Sequence, residues 1–248
     1  MSNISAVSSL DNRFEVFVQT YHGIEHYWQV APNIDLFQHA TPYLPPPIPY
    51  VGENDDFGTR RDTIAAIRDG FGRLTVAWIA LGQVFVTSAN SPGASLSSSG
   101  TAIPCASPYQ IAIGLNYGEP VIVILDRSGA VCSFDSDSTG GIISWVHLGN
   151  RGRLRWPIPF PLRQISVANH IDGRLVLVGL GANPNTAKPR TIMVPNGDFV
   201  VAMDIGYPYL TYGRDFGTPK FIPCTDVYSV TATESSSQAA RPGAGRLP

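Results

Sequence analysis

Charged side chains are scarce in this 248-residue chain, and lysine is almost absent. Asp, Glu, Lys and Arg together make up 15% of the residues, against about 25% in an average soluble domain. The only lysines are Lys188 and Lys220, and the net charge is −2 at pH 7. A nucleic-acid-binding domain needs a concentrated basic surface, which this composition does not provide, so we expect no nucleic-acid partner.

Cysteine is also rare, and its spacing does not fit the usual zinc sites. Cys105, Cys132 and Cys224 lie far apart, and the sequence contains no Cys-x-x-Cys or paired Cys/His spacing. We interpret all three as reduced, buried thiols, with one disulfide as the alternative if the protein is exported. Because no set of metal ligands is apparent, we expect neither a metal nor an organic cofactor.

Long apolar runs are missing as well. No run approaches the roughly 18 residues that a membrane-spanning helix requires, so we expect no membrane span. Residues 1–10 lack the basic and apolar segments of a secretory signal, which leaves the localisation open between the cytoplasm and a non-classical secretion route. The sequence also leaves assembly into a homo-oligomer open.

Glycine, proline and apolar residues, by contrast, are abundant. The 24 glycines and 21 prolines indicate a chain that turns often and has little room for long helices. Apolar residues account for 44% of the chain, which is enough to form a folded core.

A repeat organises most of the sequence. Four segments align without gaps over roughly their first ten residues, and each is followed by alternating apolar and polar runs joined at a short turn. The segments are ISAVSSLDNRF from Ile4, IAAIRDGFGRL from Ile64, IAIGLNYGEPV from Ile111 and ISVANHIDGRL from Ile165. Period-two alternation with turns of this kind is typical of β-hairpins.

A repeat of roughly 50 residues that holds about four strands is typical of a propeller blade. We therefore predict an all-β fold, a β-propeller with four antiparallel strands per blade, over residues 1–233, followed by a flexible tail over 234–248. Four clear units and a degenerate hairpin formed by Phe199–Asp204 and Tyr209–Tyr212 predict five blades, with four and six as alternatives. A β-sandwich of the same strands is the competing fold.

Three segments resemble a known family. DNRFEVFVQTYHGIEHYWQVAPN (11–33) resembles the repeated module of tachylectin-like propellers and bacterial fucose-binding propeller lectins. GIISWVHLGN (141–150) resembles the end of that module, and HIDGRLVLVGLG (170–181) resembles its beginning. The resemblance implies a propeller whose blades or blade junctions bind sugars such as fucose or an N-acetyl sugar.

An aromatic and polar cluster on the return strand of the first hairpin suits this chemistry. A pyranose ring has an apolar C–H face that stacks on an indole or phenol, and its hydroxyl groups need planar donors and acceptors. Alternation places Trp28 and His26 on one side of the strand and Glu25, Tyr27 and Gln29 on the opposite side. The candidate sugar-binding residues are Glu25, His26, Tyr27, Trp28, Gln29, Trp145 and His147. The competing interpretation makes Trp28 and Trp145 core residues between blades.

The number of sites is small on this interpretation. The stretches that align with Tyr27-Trp28-Gln29 are Phe85-Val86-Thr87 in the second repeat and Cys132-Ser133-Phe134 in the third. A multivalent lectin usually repeats its site residues, so the sequence predicts one or two sites.

Catalytic and metal motifs are weak. His22 and His26 belong to an H-x-x-E-H pattern, but four residues along a strand span about 13 Å, too far for two ligands of one metal. Asp135–Gly141 is interpreted as a surface turn. No carboxylate pair or G-x-S-x-G motif stands out, so we predict a non-catalytic lectin and not an enzyme. A protein-interaction scaffold is the alternative, and a glycosidase is less favoured.

Overall fold

The computed structural model of the chain describes a propeller built from strands. The described residues are 3–9, 11–20, 23–39, 63–94, 96, 100–103, 105, 107–135, 154–155, 162–170, 173–183, 197–205 and 220–223. Every helix or strand element within these ranges is a β-strand. The strands form four antiparallel sheets of four, and in each sheet the strands pair in chain order.

The four sheets correspond to the four repeat units, and we call them blades 1 to 4. Blade 1 contains β1 (Asn3–Ser8), β2 (Phe14–Thr20), β3 (Gly23–Gln29) and β4 (Phe37–His39). Blade 2 contains β5 (Ile64–Arg68), β6 (Leu74–Ala80), β7 (Gln83–Ser88) and β8 (Thr101–Ile103). Blade 3 contains β9 (Pro108–Asn116), β10 (Glu119–Asp126), β11 (Val131–Asp135) and β12 (Leu154–Arg155). Blade 4 contains β13 (Leu162–Asn169), β14 (Leu175–Asn183), β15 (Gly197–Ile205) and β16 (Lys220–Pro223).

The first strand of each blade lies innermost. Strands β1, β5, β9 and β13 line one central cavity of about 230 Å³. The four isoleucines that open the repeats all lie on these inner strands, each at the matching place opposite the second strand of its blade. The prediction of an all-β propeller is therefore confirmed.

The turn between the first two strands explains part of the repeat. Asn12, Gly72 and Gly173 occupy the same place in blades 1, 2 and 4, and their φ angles are 62°, 83° and 89°. Glycine and asparagine tolerate this left-handed conformation better than other residues. Blade 3 uses a shorter turn in which Tyr117 and Gly118 both have positive φ, as in the tight turns that favour hairpins.

The hydrophobic core is divided among the junctions between successive blades. Each junction contains its own cluster of buried side chains. The clusters include Phe17, Ile24, Ile64, Val76 and Trp78 between blades 1 and 2, Val84, Val86, Ile111, Ile122 and Ile124 between blades 2 and 3, and Val121, Val123, Ile165, Leu175 and Leu177 between blades 3 and 4. Hydrogen bonds also cross the junctions, since the buried Gln110 amide binds both backbone groups of Ile165, at 2.9 and 3.0 Å.

We call the side of a blade that faces the preceding blade its leading face. In blade 1 this face is more exposed than in the other three blades. The isoleucines on the leading faces of blades 2, 3 and 4 are 3%, 1% and 1% exposed. On the leading face of blade 1, Ile4 is 62% exposed, and Phe14 and Phe37 are exposed as well. Blade 1 therefore exposes an apolar sheet face, whereas blades 2, 3 and 4 bury the equivalent isoleucines.

The predicted count of five blades is not confirmed, and the strand that suggested a fifth blade belongs to blade 4. Phe199–Asp204, interpreted as the start of a degenerate fifth unit, lies within β15 and pairs with β14 on one side and β16 on the other. The fourth repeat loses its register in the sequence because β14 ends at Asn183 and β15 begins only at Gly197, whereas two residues separate the corresponding strands of blades 1 and 2. Tyr209–Tyr212 and the predicted tail over 234–248 lie outside the described residues.

Two smaller expectations concern cysteine and the membrane. Cys132 is buried and Cys105 half-buried, and neither forms a disulfide; Cys224 lies outside the described residues. In the part of the chain that the structure describes, no helix is long and apolar enough to cross a membrane.

Gly114 on β9 tests the junction between blades 3 and 4. A Cβ atom there would overlap Leu175 Cδ1 and would lie 3.3 Å from Val167 Cγ2. We expect Gly114→Ala to lower the free energy of unfolding by about 1–3 kcal/mol, because overpacking forces buried side chains away from their preferred rotamers. Urea denaturation measures this change.

Leu175→Val supplies the control, since it removes the atom that a Cβ at position 114 would meet. The double variant should lose less than the sum of the two single losses, because the clash and its relief are coupled. Strict additivity would show that Gly114 does not mark a close approach of the blades.

Candidate functional site

A pocket of about 240 Å³ opens at the junction between blades 1 and 2. It lies where β3 and β5 end and where β2 begins, and the β7–β8 loop also contributes to its wall. We call this the junction pocket, and its polar and aromatic lining consists of Ser9, Arg13, Glu15, His26, Trp28 and Arg68. Five of these residues come from blade 1, and Arg68 comes from blade 2.

Strand register brings the blade 1 residues together. In the β2–β3 pair, Glu15 lies opposite Trp28, and Phe17 lies opposite His26. Residues directly opposite each other in an antiparallel pair project from the same face of the sheet. The His26 ring stacks on buried Phe17 with ring centroids 4.4 Å apart, and the half-buried Trp28 ring is tilted against it at 5.5 Å.

Glu15 is the centre of a charged network. Its Oε2 accepts a hydrogen bond from His26 Nε2 at 3.0 Å, and its Oε1 accepts one from Arg68 Nη2. The side chain is 16% exposed. Burial alone raises the pKa of the carboxyl, but the hydrogen bond from His26 and the charge of Arg68 outweigh it and hold the pKa below its ordinary value of 4.5.

Arg68 is fixed by backbone groups as well as by Glu15. Its Nη1 donates to the carbonyl of Gly72 at 2.9 Å, and its Nε donates to the carbonyl of Ser8 at 3.2 Å. These contacts hold the guanidinium across the junction, with one bond to its own blade and two to blade 1. The contacts of Arg68 with Ser8 and Glu15 therefore exist only while the two blades are docked.

Arg13 lies at the mouth of the pocket. Its Nε donates to Asp11 Oδ2 at 2.6 Å, and its Nη1 donates to the carbonyl of Gln29 at 3.4 Å. A hydrogen bond from the Ser9 hydroxyl, together with Arg13, lowers the pKa of the exposed Asp11 carboxyl. The Asp11 turn thus positions the Arg13 side chain beside the pocket.

The other predicted residues of β3 lie on the opposite, leading face. The Tyr27 hydroxyl donates to Glu25 Oε2 at 2.6 Å, and this bond raises the pKa of the Tyr27 phenol. Gln29 is buried; its Oε1 accepts from the Phe14 backbone N–H at 2.8 Å, and its Nε2 donates to the Ile34 carbonyl at 3.3 Å. The structure therefore brings His26 and Trp28 into the pocket and places Glu25, Tyr27 and Gln29 outside it.

Some predictions fall on residues that are not described. Trp145 and His147 lie outside the described residues, as does His22 of the H-x-x-E-H pattern. Among the residues that the structure describes, no three His, Cys, Asp or Glu side chains group together as metal ligands.

Sequence reasoning missed Glu15, Arg13 and Arg68. A signal for Glu15 was present, because alternation along β2 places it two residues before Phe17 on the same face. Arg13 belongs to the repeat itself and therefore did not stand out. Arg68 comes from the next blade, and only the docking of two sheets brings it to the pocket.

Strand register also corrects the alignment of the repeats. The residues at the place of Trp28 are Ser88 in blade 2 and Asp135 in blade 3, whereas Val86 and Ser133 occupy the place of His26. Ile64 and Ile111 lie 60 and 107 residues after Ile4, and extending that gapless alignment from Trp28 gives Ser88 and Asp135. The equivalence of Trp28 to Val86 and Ser133 is therefore two residues too short. The residues equivalent to the Glu15, His26 and Trp28 set are Thr75, Val86 and Ser88 in blade 2 and Val121, Ser133 and Asp135 in blade 3.

Comparisons with known proteins give remote structural likenesses only. No family model matches the chain, and no curated protein matches its sequence. Similar solved structures include the alpha-L-arabinofuranosidase PaAbf62A from Podospora anserina in complex with cellotriose, at 10% identity and a TM-score of 0.44, over 82% of this chain and 63% of that one.

Two further likenesses have similar scores. A mutant of AofleA from Arthrobotrys oligospora, in which arginines are replaced by alanine, is 8% identical over 94% of this chain and 74% of its own, with a TM-score of 0.43. The aldose sugar dehydrogenase from Streptomyces coelicolor is 7% identical over 90% of this chain and 85% of its own, with a TM-score of 0.41.

These findings correct one prediction and limit another. The prediction that the chain is not an enzyme is contradicted, because an arabinofuranosidase and a sugar dehydrogenase are among the similar structures, and we do not retain it. The resemblance to lectin propellers holds at the level of the β-propeller, since no family model supports the tachylectin-like family in particular.

The network around Glu15 predicts a pH dependence of stability. Because the folded-state pKa of Glu15 lies below its ordinary value of 4.5, its carboxylate stabilises the fold above that value, and this contribution is lost as pH falls toward the folded-state pKa. Glu15→Gln cannot titrate. We therefore expect the free energy of unfolding to fall less between about pH 7 and about pH 3.5 in this variant than in the wild type, measured by urea denaturation. An equal fall in both proteins would contradict the proposed network.

Proposed function

We propose that the chain binds a carbohydrate in the junction pocket and acts as a lectin. The observation that carries this proposal is the half-buried Trp28 indole beside an ordered network of Glu15, His26 and Arg68 in a pocket between two blades. An indole supplies a surface for the apolar face of a sugar ring, and the network supplies hydrogen-bonding groups for its hydroxyls.

The network also has spare hydrogen-bonding capacity. Each oxygen of Glu15 accepts one hydrogen bond and keeps a second lone pair. Each terminal nitrogen of Arg68 donates one hydrogen bond and keeps a second N–H. A sugar hydroxyl both donates and accepts, so it can add to the network without breaking any bond within it.

The pocket has the size of a small ligand. Its volume of about 240 Å³ lies below the roughly 300–1,000 Å³ of sites for drug-sized molecules. We therefore infer that one monosaccharide or the end of one glycan occupies it. Glu25, Tyr27 and Gln29 support the shape of blade 1 on this proposal, and the role of Trp145 and His147 stays a prediction.

A protein-interaction scaffold is the second candidate. The exposed apolar leading face of blade 1, with Ile4, Phe14 and Phe37 exposed, favours it. Large apolar patches on a protein surface commonly mark interaction sites. The scaffold uses a different face of blade 1 from the junction pocket, so the two candidates make separate predictions.

Trp28→Ala tests the proposed site. We expect this change to weaken binding to glycans at least about tenfold, equivalent to about 1.4 kcal/mol, because the stacking surface is lost. The free energy of unfolding should fall by less than the roughly 3–5 kcal/mol typical of a fully buried Trp. A glycan array identifies the ligand, and titration calorimetry measures the change.

Trp78 is the matched control. It is buried in the same junction, where it stacks on Phe85, and the residues of the pocket lining do not include it. Trp78→Phe should lower stability and leave glycan affinity unchanged in the folded protein. Unchanged affinity in Trp28→Ala would exclude the junction pocket as the site, and a wild-type protein that binds no glycan would favour the scaffold.

A further inference from the structure

Every charged group that the structure describes in the junction pocket is paired within the chain. Glu15 is bonded to Arg68 and His26, and Arg13 is bonded to Asp11. The two arginines and the two carboxylates therefore balance, and the pocket carries no unmatched guanidinium for an anionic ligand.

A ligand carboxylate would meet a cost at each of these groups. Near Arg68 it would also approach Glu15, whose 16% exposed carboxylate bears the same charge, and like charges at close range repel strongly in a partly buried site. Near Arg13 it would compete with Asp11, which already holds Nε at 2.6 Å. A neutral hydroxyl meets neither cost.

We propose that the junction pocket selects uncharged sugars over acidic ones and that Asp11 is a specificity-determining residue. The inference rests on the proposed function, since it concerns the ligand of the same pocket. Asp11 acts through Arg13: it neutralises the one pocket guanidinium whose side chain is substantially exposed, at 35%, and so removes the place where a sugar carboxylate would bind.

Asp11 is well suited to substitution. It lies on the turn between β1 and β2 and is 53% exposed, so Asp11→Asn removes the charge while retaining an oxygen for the Ser9 hydroxyl and the Arg13 backbone N–H. The variant leaves Arg13 with its bond to the Gln29 carbonyl and an unpaired positive charge.

Asp126 provides a matched control. Its side chain accepts hydrogen bonds from the backbone N–H groups of Ser128 and Ala130, at 2.8 and 3.0 Å, in the turn between β10 and β11. This turn lies in blade 3, and none of its residues lines the junction pocket. Asp126→Asn therefore changes the net charge of the protein by the same amount without altering the pocket.

The experiment measures affinity for pairs of sugars that differ in one carboxylate. The probes are the methyl glycosides of glucose, galactose and mannose and of the corresponding uronic acids, together with methyl fucoside, measured by titration calorimetry at low salt. The quantity compared is the Kd of the uronic acid divided by the Kd of its neutral partner. In the wild type we expect this ratio to be at least about ten, and Asp11→Asn should lower it at least about threefold. Asp126→Asn should leave the ratio at its wild-type value.

Three results would overturn the inference. The first is that a uronic acid binds the wild type as tightly as its neutral partner. The second is that Asp11→Asn leaves the ratio of the two dissociation constants unchanged, and the third is that Asp126→Asn lowers this ratio as much as Asp11→Asn does. If Asp11→Asn does not fold, the wild-type ratio decides, together with its change with salt. Because salt screens the repulsion between a ligand carboxylate and Glu15 or Asp11, the ratio should narrow from low to high salt, and a ratio that does not narrow would overturn the inference. A wild-type protein that binds no member of any pair, fucoside included, and no glycan on the array would instead remove the proposed function.

Discussion

Each blade has two faces to bury, and this constraint governs the rest of the structure. A four-stranded sheet alone leaves both faces in water, and a propeller covers them by packing each sheet against its neighbours. The core is accordingly distributed over the junctions between blades, where Phe17, Ile111 and Ile165 are almost fully buried. Gly114 shows how closely the sheets approach, since a Cβ atom at this position would overlap Leu175 Cδ1.

The candidate site follows from the same arrangement. The rim of a junction is the place where side chains from two sheets converge, and here Arg68 of blade 2 reaches Glu15 of blade 1. The interior of the junction holds Phe17, which orients His26 by stacking, so the apolar core and the polar rim form one continuous assembly. Blades 2 and 3 have the same backbone arrangement but place neutral or unrelated residues at the corresponding positions of the register.

The sequence was sufficient for the fold class and for part of the site. Isoleucine spacing and alternation along the strands are local signals, and local signals can be read directly from the sequence. The alternation also separated Trp28 and His26 from Tyr27 correctly. Arg68 could not be assigned to the pocket, because its partner Glu15 is far away in sequence and nothing local encodes which residues meet across a junction. The equivalents of Trp28 were misplaced by two residues, although extending the gapless alignment of the repeat openings gives Ser88 and Asp135.

The exposed leading face of blade 1 has a consequence for how the site opens. In a structure whose repeats stabilise one another through shared interfaces, a repeat that buries one face gains less from its neighbours than a repeat that buries both. Blade 1 docks its trailing face on blade 2 and leaves Ile4 on its leading face largely exposed, so its local free energy of opening falls at the low end of the molecule. The Glu15–Arg68 contact spans the boundary along which such opening separates the sheets. A ligand in the junction pocket contacts residues of both blades. Its binding free energy therefore stabilises the docked arrangement of blades 1 and 2 against opening.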